Sequence, residues 1–130
     1  MNKRDFLARV QESAGLDSPK EAERQSVAVL TALLHVLPDS EARRHFTSQL
    51  PGFLKSRLAE ERPRGLVLTG DAFLQHLGRA LHVHAPEAER VLMTVFGVLR
   101  QAVSAGQVSD LEAHLPKEIA ALLERKPLAS

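Results

Sequence analysis

The sequence predicts an all-α fold of about eight helices, built as two tandem four-helix repeats packed as one pseudo-two-fold domain over residues 1–130. Three observations carry this expectation. The first is that the chain says nearly the same thing twice. Phe6-Leu7, Ser18-Pro19, Glu21-Ala22-Glu23-Arg24 and Leu50-Pro51 recur as Phe73-Leu74, Ala85-Pro86, Glu87-Ala88-Glu89-Arg90 and Leu115-Pro116, with the offset drifting from 67 through 66 to 65. A fixed offset that slips by two single deletions is the mark of an internal duplication. The second is an apolar run inside each copy, Val27 to Leu37 and Val91 to Val103, with helical rather than alternating spacing. The third is that Gly and Pro punctuate the chain at the ends of those periodic stretches. The repeats span about 3–61 and 71–125, joined by 62–70.

Taken in order, the first helix runs from Lys3 to Ser13, with Phe6, Leu7 and Val10 on one face and Gly15 as its stop. Ser18-Pro19-Lys20-Glu21 then starts the second. Serine can cap, proline suits the first helical position, and Glu21 is placed to complete a capping box. The second copy keeps the proline and glutamate but has Ala85 for Ser18, so its cap is weaker or comes from His84 or the backbone. Nine of the eleven residues from Val27 to Leu37 are apolar, too many for a single exposed face, so this spine helix is expected to be buried nearly all round. Ala28, Thr31 and His35 match Thr94, Gly97 and Gln101, a narrow stripe of small or polar residues on each spine. The two stripes either meet near the pseudo-two-fold axis or face solvent. Shorter third helices follow at Ser40 to Ser48 and Val108 to His114, and Leu50-Pro51 and Leu115-Pro116 end them and open the fourth. In the joining segment, Leu66-Val67-Leu68 is apolar enough to tuck onto the core or form a short strand, and Asp71 is the expected cap of helix five.

These spaced motifs, each present twice from about Phe6 to Leu123, resemble a bacterial family known as domain of unknown function 2267. The resemblance implies an all-helical, duplicated, cytoplasmic bacterial protein. It brings no accepted activity, cofactor or catalytic residue.

Composition narrows the function further. The chain has no cysteine, which excludes disulfides, thiolate metal sites and cysteine nucleophiles and suits a reducing cytoplasm. Its opening residues lack the apolar segment of a secretory signal, and no apolar run reaches the roughly 20 residues of a membrane span. A net charge of +1 gives no global pull toward nucleic acid or anionic lipid.

Candidate chemistry is sparse. His76, His82 and His84 are the metal-ligand candidates, but His82 and His84 are two apart and point about 200° away from each other on a helix. Glu21, Glu23, Glu87 and Glu89 are candidate carboxylates, yet they sit in first helical turns where acids are favoured by the dipole, with Arg24 and Arg90 three residues after Glu21 and Glu87. The chain contains no nucleophile elbow, zincin motif, phosphate loop or dinucleotide fingerprint. A basic segment offers Arg43, Arg44, Lys55, Arg57, Arg62 and Arg64 against Glu60 and Glu61, a possible phosphate-contacting patch without tyrosine or tryptophan to stack bases. The reading is therefore a non-enzymatic protein–protein interaction module, with no cofactor, acting on a protein partner or a second copy through a groove between the repeats. A weak nucleic-acid binder using segment 43–64 is the alternative, and a metal- or carboxylate-dependent enzyme the third.

Overall fold

Five of the described helices in this chain begin where a side-chain oxygen is available to the first free amides. In the computed structural model, which describes residues 1–124, α1 (Lys3–Ala14) opens on Asn2, whose side chain accepts from the Asp5 N–H at 2.8 Å. It closes on Gly15 in the left-handed conformation at φ 65°, which glycine adopts without a Cβ penalty. Helix α2 (Pro19–His35) opens on Ser18, whose Oγ accepts from the Glu21 N–H at 3.1 Å. The return half of the expected capping box is not made. Glu21 instead turns its carboxylate to Arg24, at 3.0 Å from its Nε. Asp39 caps α3 (Ser40–Ser48), and α4 (Gly52–Arg57) follows Pro51 without a side-chain cap.

The second half of the chain brings two corrections to the sequence reading. Helix α5 (Gly70–Leu81) is capped by Thr69, whose Oγ1 accepts from the Ala72 N–H at 3.1 Å, not by Asp71. Asp71 lies inside the first turn, where its charge still favours the helix. Helix α6 (Ala85–Ala102) has His84 at its cap with no side-chain bond. Helix α7 (Ala105–Ala113) starts three residues earlier than Val108, because Ser104 and Gln107 close a complete capping box. Helix α8 (Lys117–Glu124) completes the described chain, which is all-helical and contains no strand among its described residues. The expected end of the second repeat, residue 125, lies outside them.

The spines α2 and α6 hold the structure together. Helix α1 packs on α2 and α6, α5 packs on α6 and α2, α8 covers α5 and α6, and α3 meets α7. Phe6, Phe46, Phe73 and Phe96 are buried in one continuous core that draws on all eight described helices. Each such side chain contributes roughly 1.5–3 kcal/mol of burial. On α6 the polar stripe faces outward, whereas on α2 its last member, His35, turns against His76. A Cβ built on Gly97 meets no atom within 4 Å, and Gln101 is exposed, where it accepts from Arg9 Nη1 at 2.7 Å.

The joining segment forms no strand. It is tied to the end of α2 by two backbone bonds, Gly65 N–H to the Leu37 carbonyl and Leu66 N–H to the His35 carbonyl, both 3.0 Å. Leu66 and Leu68 lean on the core, but Val67 points away and is 98% exposed.

Candidate functional site

A large aliphatic side chain held in full contact with water costs free energy that burial against a partner would recover. Val67 is that side chain, and it stands in the wall of a groove of about 560 Å³. One side is the C-terminal end of α2, Val36 and Pro38. The joining segment forms the floor with Leu66, and the turn from α7 into α8 supplies His114 and Pro116 opposite. The local sequence explains the shape. Pro38 stops α2, Pro116 stops α7, and the Leu66 bond to the His35 carbonyl holds the joining segment between them. Among the described residues none bonds the Val67 N–H or carbonyl, so the groove offers backbone donors and acceptors beside an apolar side chain. A second hollow of about 400 Å³ lies where α1 and α4 begin and α6 ends, but Asn2, Lys3, Gln49 and Gln107 give it a more polar lining.

Behind the groove sits a contact that the sequence reading did not find. His35 Nδ1 and His76 Nε2 are 3.0 Å apart, their rings edge-on with centroids at 5.2 Å. His35 Nε2 faces Glu61 at 3.8 Å. Burial pushes the His35 imidazole below its ordinary pKa and the nearby Arg64 charge adds to this, while Glu61 opposes it. His76 is also pushed down, first by burial and then by His35, Arg79 and Arg64. The residues are 41 apart in the chain, and no local signal joins them.

The three histidines proposed for a metal are not brought together. His76 faces His35, His82 is the left-handed C-cap of α5, and His84 starts α6. Among the described residues no group of three or more His, Asp or Glu side chains is arranged to hold a metal ion. Among the candidate carboxylates, Glu21, Glu23 and Glu87 are engaged in ion pairs. Glu21 holds Arg24 and Glu87 holds Arg90. Glu23 takes Lys3 Nζ and Arg57 Nη1, each at 2.9 Å. The arginine beside Glu21, and chiefly the Lys3 ammonium beside Glu23, hold these carboxyls below the usual range.

The basic segment is split in its duties. Arg43 donates from Nε to the Glu61 carbonyl at 2.7 Å and from Nη2 to the Leu58 and Ala59 carbonyls at 3.1 Å, tying off the end of α4. Arg62 donates to the Ala59 and Glu61 carbonyls, and Arg57 pairs with Glu23. Arg44, Lys55 and Arg64 are exposed. No described helix is long and apolar enough to cross a membrane.

No curated protein matches the chain. The family model of uncharacterized conserved proteins termed DUF2267 matches residues 3–122, the stretch that carries α1 to α7, most of α8 and both walls of the groove, and the chain belongs to that family.

Proposed function

We propose that this protein is a non-enzymatic interaction module that holds an apolar segment of a partner protein in the groove floored by residues 65–69. The observation that carries the reading is Val67, 98% exposed in a groove lined also by Val36, Pro38, Leu66, Leu115 and Pro116, with His114, Lys117 and Glu118 at the turn into α8. Concave, mostly apolar clefts with a few open backbone groups are what peptide segments dock into. The engagement of Glu21, Glu23 and Glu87 in ion pairs supports a non-catalytic role for those carboxylates.

The same proposal takes the two halves as copies. Helices of 12, 17, 9 and 6 residues are followed by helices of 12, 18, 9 and 8. Each half sends its first helix onto the other half's spine, α1 onto α6 and α5 onto α2, which supports a pseudo-two-fold arrangement. The groove then lies where the second copy is joined to the first. We assign the protein to the bacterial cytoplasm on the same footing.

Affinity capture from native lysate, run with and without nuclease and read by mass spectrometry, tests the reading. A protein partner recovered in near-stoichiometric amount in both arms supports it. Recovery that disappears with nuclease overturns it and transfers the function to the exposed cations Arg44, Lys55 and Arg64 of segment 43–64.

A further inference from the structure

Four of the six histidines meet in two pairs, and each pair joins the first four helices to the last four. His35 at the end of α2 meets His76 on α5. His45 on α3 stacks on His114 at the end of α7, rings 19° from parallel with centroids 5.0 Å apart. Both pairs border the groove. His114 is in its wall, Val36 follows His35, and the His35 carbonyl holds the Leu66 N–H of its floor.

We propose that these pairs form a proton-operated latch between the two halves, closed when the imidazoles are neutral and released when both members of the His35–His76 pair are protonated. In the neutral pair one ring nitrogen donates and the facing one accepts. When both rings are protonated, each facing nitrogen carries a hydrogen, no acceptor remains, and two like charges stand 3.0 Å apart. The surrounding charges weigh the same way on balance. Glu61 favours a charge on His35, but Arg64 from the joining segment and Arg79 from α5 oppose charge on the pair. The His35 side chain is only 16% exposed, so water screens little of this. The His45–His114 pair is the more open of the two: His45 is exposed, and Glu41 lies 3.7 Å from its Nε2. Opening frees the Leu66 N–H and with it the groove floor. As regulation of the groove this rests on the binding role proposed above, whereas the latch itself is a property of the free protein.

The test uses the free protein and needs no partner. Histidine ring resonances are titrated by NMR while protection of the Leu66 amide is followed from about pH 7.5 to about pH 5, corrected for the intrinsic pH dependence of exchange. The latch predicts that His35 and His76 titrate as a coupled pair below the ordinary imidazole range. It also predicts that Leu66 protection falls about tenfold for each unit of that displacement. In His76→Gln, which keeps a hydrogen-bonding group without a titrating charge, protection stays level. Protection that does not change with pH in the natural protein, or that falls equally in His76→Gln, overturns the latch. If His76→Gln does not fold, independent titration of His35 and His76 at ordinary values in the natural protein overturns it as well. Failure of partner capture leaves these outcomes untouched, so the two readings fail separately.

Discussion

His82 has φ 60° and ψ 42°, the one non-glycine residue with positive φ among those described. A side chain in that region costs about 1–2 kcal/mol, and no described residue bonds to this imidazole. His82→Gly is therefore expected to raise stability by about 1 kcal/mol, seen as a higher urea midpoint with an unchanged slope. Four residues earlier the argument reverses. A Cβ on Gly78 would stand 2.6 Å from the Val83 carbonyl oxygen, because the chain folds back there and Val83 N–H bonds the Gly78 carbonyl at 2.9 Å. The helix propensity gained by alanine, about 1 kcal/mol, is smaller than the cost of moving that backbone. Gly78→Ala is expected to destabilise by about 1–3 kcal/mol in the same assay. The histidine pair sets the pH dependence at this scale. Folding depresses both imidazoles, so the unfolded chain binds protons more readily than the native one. Their contribution is complete above the ordinary imidazole value and declines as pH falls through it toward the folded values. Glu21 and Glu23 are depressed too, but a depressed carboxylate withdraws its contribution only as pH falls below the ordinary glutamate value near ~4.3. A drop in urea midpoint already between about pH 7 and 5 thus belongs to the histidines, and His35→Gln with His76→Gln should flatten it.

At the scale of the element, much was legible because helix boundaries are local chemistry. Ser18 with Pro19 marks the start of α2, and Gly15 marks the stop of α1. Where two cap-forming residues stand two apart, as Thr69 and Asp71 do, only the backbone decides, and it chose the earlier one. The start of α7 was hidden for a related reason: the apolar run of α6 continues through Val103 into the next cap, so periodicity alone ran past Ser104. What local chemistry does not carry was not legible. Nothing near Arg43 announces that it will tie off carbonyls 15 to 18 residues away, and nothing near His35 announces His76. The spine stripe was read as a choice between close approach and solvent, and on α6 the open space over Gly97 decides for solvent. Gly97→Ala should then gain about 0.5–1 kcal/mol by removing backbone freedom from the unfolded chain, and Gly97→Leu should stay within about ±0.5 kcal/mol of the natural protein or above it. A thermal melt showing either variant destabilised by more than about 1 kcal/mol would place a packed neighbour over the stripe.

For the whole molecule, the division of labour follows from where apolar surface is spent. All four wholly buried phenylalanines lie in the shared core, yet Val67 is left outside, on a segment pinned by its neighbours rather than by its own contacts. Single exposed aliphatic residues are ordinary on protein surfaces. This one differs in standing on the wall of a groove of about 560 Å³ closed by two proline-terminated helices. Because Val67 touches so little of its own fold, Val67→Glu should leave the fold intact and place a charge where an apolar partner segment must sit. The most direct measurement is parallel capture by the natural protein and Val67→Glu, in nuclease-treated lysate, after matching their urea midpoints. The account predicts a near-stoichiometric protein partner on the natural protein and its loss on the variant. Equal recovery by both proteins would contradict it, since the groove would then play no part in binding.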